Sequence, residues 1–339
     1  MFDLNSICFI LIFFFITGYA ILDGFDLGVG ILHLFTKRDE ERRILFNTIA
    51  PVWDGNLVWL VTLGGALFAT FPMAYATILS GFYLDFMALL MGLFFRAVSI
   101  HFRSKKEWKW WRMVWDVAFS FSSALVSFLF GLVLGNLALG VPLDSSHEFV
   151  GTFGSLFNPY SVIVGLTVVS LFSMHGNLYL LLKTKNQFNQ KIRSWAKYTI
   201  SFFILTLIAT ILFSHIYLDS SSRGFLGSEW YFILLAIAFL SILYVIREVY
   251  LKREGRAFVA SCLTIVVLTA AYAVGTYPYL VFSSLNVEHS LSIYNAASSS
   301  KALGIMLVMA IIGMPLVIIY SIAIYRVFRK KVDVTTGGY

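Results

Sequence analysis

Charge is what this chain has least of. Asp, Glu, Lys and Arg make up 13% of its 339 residues, where a soluble globular domain carries about 25%. With 59% of the residues hydrophobic, a soluble fold of this size would lack polar cover for its surface. A bilayer is the solvent that fits. Cysteine is nearly absent as well. Cys8 and Cys262 both lie in apolar stretches. There is no CxxC, no Cys/His metal spacing and no disulfide framework, so both read as small buried hydrophobes. The segment ahead of the first apolar run holds Asp3 and no basic residue. Without a positive n-region no cleavable signal peptide is expected, and that run should stay in the membrane. No P-loop, dinucleotide fingerprint, zincin motif or nucleophile elbow occurs. The alternating ten-residue pattern of a membrane β-barrel is missing too.

What is present is apolar and long. Mean hydropathy is +0.83 and 33 residues are Phe. Nine runs are long enough to cross a hydrocarbon core: about 6–35, 46–70, 74–100, 113–137, 160–182, 196–217, 229–249, 257–277 and 302–326. A core of about 30 Å takes about 20 helical residues, and backbone polar groups in lipid must be satisfied within the segment. The expectation is therefore an all-α, polytopic protein, with residues 1–339 as a single membrane domain. No short-period repeat or low-complexity linker divides it. The 138–158 loop and the 217–228 stretch are expected to be the most mobile pieces.

The basic residues fix an orientation. Loops 37–43, 101–112, 183–197 and 247–256, together with the tail after the last run, hold 22 of the 25 Lys and Arg residues. The other side has only Arg223 and Lys301, and Arg96 sits inside a run. Positive residues gather on the cytoplasmic side. All 22 share that side only with nine crossings, an outside N-terminus and a cytoplasmic C-terminus. This accounts for the net charge of +7 without nucleic acid. Trp108, Trp110, Trp111 and Trp115 flank the same edge, as an interfacial aromatic belt would.

Ionisable residues inside a span cost about 2.5–3.5 kcal/mol on insertion scales, so each is a functional candidate. Asp23 and Asp26 lie in the first span at i, i+3, on one helical face. Two carboxylates that close oppose each other's ionisation, which suits a proton relay. Equally, both can simply bond partner groups at a helix contact. Gly24 and Gly28 make a small-xxx-small pattern, read as close helix packing. Asp54 lies in the second span, with Pro51 either kinking that helix or marking its true start. Counted from Ile44, Asp54 is about 10 residues in, or roughly 15 Å by helical rise. All three acids then fall toward the cytoplasmic half, where a route for cytoplasmic protons would need them.

Asp85 and Arg96 share the third span, too far apart along it to pair. Arg96 is expected to snorkel to the inner interface. Asp85 has no such escape and is expected to face another chain. His33, His175 and His215 lie in or at the ends of spans, but nothing in their spacing makes a bis-histidine haem pair. A hydrogen-bonded packing role for His175 is favoured over a lone axial ligand.

Two early stretches carry a resemblance. Gly18-Tyr19-Ala20-Ile21-Leu22-Asp23-Gly24-Phe25-Asp26-Leu27-Gly28-Val29-Gly30 is one, and Asn47-Thr48-Ile49-Ala50-Pro51-Val52-Trp53-Asp54-Gly55-Asn56-Leu57-Val58-Trp59-Leu60 is the other. Both resemble signatures of subunit II of cytochrome bd-type quinol oxidases. Weaker matches follow in order, among them Phe94-Phe95-Arg96, His175-Gly176-Asn177-Leu178-Tyr179-Leu180 and Gly313-Met314-Pro315-Leu316. The resemblance covers nearly the whole chain. It departs at Leu57, where the family usually has Glu or Gln.

The resemblance implies two four-helix bundles plus one peripheral helix, in a prokaryotic cytoplasmic (inner) membrane. It implies a subunit I partner that shares the fold and bears the haems. The complex would oxidise quinol, reduce oxygen to water and draw protons from the cytoplasm, electrogenically and without pumping. Asp54 matches the family's proton-path acid near subunit I, and Asp23 and Asp26 match its first-helix acids. Asn56, Asn47 and His175 would give polar support. No haem ligand carries over to this chain. A structural quinone or lipid can fill its bundles, and small single-span accessory subunits can join. The alternative is a secondary transporter or ion channel with buried carboxylates, marked by inverted repeats and paired broken helices. The glycine-rich stretch 24–30 has no counterpart in the second half. A third reading, a scaffold or assembly factor, is separated by Asp54→Asn.

Overall fold

Pro51 and Pro72 divide the first third of the chain more finely than its hydropathy does. The computed structural model describes residues 3–218, Phe225 and residues 228–332. Its helices are α1 (Leu4–Leu32), α2 (Asp39–Ile49), α3 (Trp53–Thr70), α4 (Pro72–Gly81), α5 (Tyr83–Phe102), α6 (Lys109–Leu139), α7 (Pro159–Lys183), α8 (Asn186–Tyr217), α9 (Glu229–Tyr250), α10 (Glu254–Thr276) and α11 (Ser300–Val327). Among the described residues eight helices are long and apolar enough to cross a membrane. A ninth crossing results if α2 and α3, bent by 51° at their junction, are counted as one span. Each of the nine expected spans thus has a helical counterpart. Arg223 and most of the 217–228 stretch lie outside the described residues.

The α2–α3 break follows from Pro51, which has no N–H to donate and whose ring crowds the carbonyl four residues back; Ala50 itself keeps helical dihedrals. The sequence left open whether Pro51 kinks a helix or marks its start. The structure ends α2 at Ile49 and starts α3 at Trp53. Asp54 therefore sits in the first turn of α3, not about 10 residues inside a continuous helix. Pro72 starts α4 in the same way. Side-chain caps fix other starts: Asp3 accepts the Ser6 N–H at 2.8 Å and Asn158 accepts the Ser161 N–H at 2.8 Å.

α1 is the hub, packing against α3, α6, α7, α10 and α11. Its glycines permit this. A Cβ on Gly28 would come within 1.8 Å of the Phe172 carbonyl oxygen on α7, so only glycine fits there. Hydroxyl pairs join other helices: Thr17 to Thr269 at 2.8 Å, Ser170 to Thr206 at 2.6 Å and Ser241 to Thr264 at 2.8 Å. In lipid such bonds are worth about 0.6 kcal/mol each on average. α11 is the outlier, burying only Leu303 and Met314. The one small sheet among the described residues pairs Tyr279–Val281 with Leu291–Ser292. It pins the 138–158 loop, expected to be mobile, through the Val141 N–H to the Phe282 carbonyl at 2.9 Å and the Ser284 N–H to the Val141 carbonyl at 2.9 Å.

Candidate functional site

The acids of α1 are handed to different neighbours. Asp23 and Arg96 are 0% and 1% exposed. Both guanidinium nitrogens of Arg96 donate to the two Asp23 oxygens, Nη1 to Oδ2 at 2.8 Å and Nη2 to Oδ1. This bidentate fork is the strong form of a carboxylate–guanidinium contact. It corrects the expectation that Arg96 snorkels: a buried counter-ion on α1 holds the guanidinium inside the protein.

Asp26, also fully buried, turns to α3. The Asn56 Nδ2 donates to its Oδ2 at 2.7 Å and to the Leu22 carbonyl at 3.0 Å. The Tyr325 hydroxyl donates to the Asn56 Oδ1 at 2.8 Å. An Asp26–Asn56–Tyr325 chain thus ties α1, α3 and α11 together. The other Asp26 oxygen, Oδ1, has no partner among the described residues. Asn56, one of the residues named for polar support, bonds Asp26 directly. Asn47 is half-buried on α2, across the Pro51 break.

Asp54 lies two residues before Asn56, on the opposite, open side of α3. It is exposed, and among the described residues it makes no hydrogen bond or ion pair. The three acids therefore occupy three environments: ion-paired, amide-bonded and open.

His175 is 0% exposed, and both its nitrogens are engaged. Nε2 donates to the Ile21 carbonyl at 2.9 Å, leaving Nδ1 to accept from the Ser261 hydroxyl at 2.7 Å. Its ring stacks on Phe258 at 4.9 Å. These contacts favour the packing reading of His175, since an axial haem bond there would have to displace one of them. Among the described residues no group of three or more His, Cys, Asp or Glu is placed to hold a metal ion.

Sequence reasoning passed over the largest charge cluster. Asp116 on α6 is 0% exposed. Its Oδ1 accepts from Arg103 Nε at 2.5 Å and pairs with His33 Nε2 at 2.6 Å, and its Oδ2 accepts from Arg42 Nη1 at 2.8 Å. Arg103 Nη2 also reaches Asp39 at 2.6 Å, and Arg112 reaches Asp39 at 2.9 Å. This cluster joins the turns just past α1 and α5, which carry His33 and Arg103, to α2 and α6 at the basic-loop end. The signal was an Asp inside the fourth apolar run. Glu248 in α9 was missed for the same reason; it is 0% exposed and pairs with Arg247 at 3.0 Å. Asp85 was noticed but misplaced. At 1% exposure it lies inside this chain instead of facing another, with neither oxygen partnered among the described residues.

Long apolar helices, ion pairs closed off from solvent and an open acid in a helix's first turn define a multi-pass α-helical membrane protein with a charged interior. Comparison with known proteins takes the identity further. Residues 4–328 match the family model described as cytochrome bd terminal oxidase subunit II. The chain is 33% identical over 334 residues to cytochrome bd ubiquinol oxidase subunit 2 of Bacillus subtilis, covering 98% of each chain. It is 32% identical over 369 residues to cytochrome bd-I ubiquinol oxidase subunit 2 of Escherichia coli, covering 98% of this chain and 97% of that one. Its fold matches a chain of the bd oxidase from Geobacillus thermodenitrificans with a TM-score of 0.81 at 20% identity, covering 96% of this chain and 98% of that one. The chain belongs to the cytochrome bd terminal oxidase subunit II family, a family of oxidoreductase subunits.

Proposed function

We propose that this chain is the haem-free second subunit of a quinol:oxygen oxidoreductase in a prokaryotic cytoplasmic membrane. It pairs with a haem-bearing subunit I and helps form the path that brings cytoplasmic protons to oxygen reduction. Residues 1–339 act as one membrane domain of two four-helix bundles plus a peripheral helix, with the N-terminus outside and the C-terminus in the cytoplasm. The clustering of 22 of 25 basic residues on one side supports that orientation. Reducing oxygen to water takes up protons, and a carboxylate that can gain and lose one at membrane depth is the group that relays them.

One observation carries the assignment to Asp54. Asp23 is locked to Arg96 and Asp26 is bonded to Asn56, whereas Asp54 is exposed and without a partner among the described residues. In an apolar surface such a group needs a partner or water from another subunit. Asp26 on α1, bonded to Asn56 two residues along α3 from Asp54, is the next group inward. Leu57 is half-buried among apolar neighbours, so the polar step the family usually makes there falls to Asn56.

The test is Asp54→Asn in the assembled complex. Quinol-driven oxygen uptake should fall roughly ten-fold or more, in line with loss of a proton-transferring group, while the haem spectrum stays intact. Unchanged turnover with intact haem would instead favour a scaffolding role.

A further inference from the structure

A groove of about 420 Å³ runs between α11 and the α1–α3 pair. Its wall is apolar: Leu22 from α1, Trp59 from α3, and Ile318 and Ile322 from α11. Arg326 and Arg329 stand at one end, both exposed. Among the described residues neither makes an ion pair or hydrogen bond, unlike Arg42, Arg96, Arg103, Arg112 and Arg193, which all do. Trp59 adds a further unmet group. It is 5% exposed, and its indole N–H has no acceptor among the described residues. The spacing 318, 322, 326 keeps the apolar residues and Arg326 on one face of α11, in order along its axis, and Arg329 follows just past the helix end.

We propose that this groove seats one anionic phospholipid. Its phosphate lies against Arg326 and Arg329, its glycerol-ester region reaches the Trp59 N–H, and an acyl chain follows Ile322 and Ile318. Charge complementarity selects this occupant. Two unpaired guanidiniums above an apolar wall match a headgroup phosphate above a hydrocarbon chain. Weak burial of α11 leaves room for a lipid to complete its packing against α1 and α3. Tyr325 lies in the same wall and donates to Asn56, so the seat borders the Asp26–Asn56–Tyr325 chain.

The experiment uses the full chain, purified in mild detergent with whatever polypeptides remain bound, delipidated and then titrated with phosphatidylglycerol or phosphatidylcholine. Bound lipid is counted by native mass spectrometry. The native chain should hold one phosphatidylglycerol that phosphatidylcholine does not displace. R326Q/R329Q should bind it roughly thirty-fold more weakly, the size expected for two basic contacts near a headgroup. Both arginines are exposed and unpartnered, so this variant should keep its helix content, checked by circular dichroism. Ile322→Trp, which fills the groove and leaves the arginines in place, should also lose the lipid. Equal binding of the two lipids, or unaltered phosphatidylglycerol binding by R326Q/R329Q, would overturn the proposal. So would a neutral isoprenoid quinone, or a single-span polypeptide, found in the groove.

Discussion

Removing the Arg96 guanidinium tests the interior charge design most directly. Arg96 and Asp23 are 1% and 0% exposed and share a bidentate contact. Breaking a buried pair by deleting one partner costs about 3–5 kcal/mol, because the remaining charge is left without compensation. At about 2 °C per kcal/mol for a chain of this size, Arg96→Gln should melt roughly 6–10 °C below the native protein. Asp23→Asn should cost at least as much. A carboxyl can be neutralised by a proton, whereas a guanidinium keeps its charge. The double variant D23N/R96Q removes both charges and should sit well above the sum of the two single losses. The assay is thermal unfolding in mild detergent by far-ultraviolet circular dichroism, at one fixed scan rate. Single variants melting within about 2 °C of the native protein would mean that Arg96 is solvated after all. A double variant equal to the sum of the singles would mean that the two residues do not interact.

Four further outcomes follow from the same geometry. Asp116→Asn should destabilise by about 3–5 kcal/mol, since it strips the carboxylate from His33, Arg42 and Arg103. Arg112→Gln, which breaks only the part-exposed pair to Asp39, should cost no more than about 1 kcal/mol in the same melts. His175→Leu should leave the reduced-minus-oxidised haem spectrum of the assembled complex unaltered, because both ring nitrogens bond within this chain; a lost or shifted band would restore His175 as a ligand. In Asp54→Cys the new thiol should react with a membrane-permeant maleimide in the isolated chain and be protected in the complex, read by mass spectrometry. Equal labelling in both would remove Asp54 from the subunit interface.

Helix number and placement were legible because each apolar run meets the bilayer requirement without help from the rest of the fold. The breaks were half legible. Pro51 announces a discontinuity, but whether a helix bends or restarts there depends on what α2 and α3 pack against. Partners of buried charges were not legible. Arg96 near a span end looks able to snorkel, and only the three-dimensional position of α1 supplies Asp23 73 residues away. Likewise the i, i+3 spacing of Asp23 and Asp26 correctly put both inside, yet it could not say that α5 would take one and α3 the other. Asp116 shows a different failure. Its own position inside an apolar run was a sufficient signal, but its two arginine partners, Arg42 and Arg103, were counted as loop charges, which hid the need for a counter-ion.

The distribution of partners among the acids bears on where protons can move. A carboxylate held by a guanidinium serves to fix helices, as Asp23 does for α1 and α5 and Asp116 does for α2, α6 and the turns just past α1 and α5. Such groups gain nothing from a partner subunit, because their charge is met within the chain. Asp85 is the reverse, buried and unmet, but closed off from any surface. Asp26 stands between these, with one oxygen bonded to Asn56 and the other unpartnered among the described residues. Asp54 alone among these acids is both unpartnered among the described residues and open at the surface of the chain. A second subunit docking on α3 would change the surroundings of Asp54 and, through Asn56, bear on Asp26, while the ion-paired acids keep the helices in place. The division is physical: the locked pairs supply rigidity, and Asp26 and Asp54 are held by no cation among the described residues.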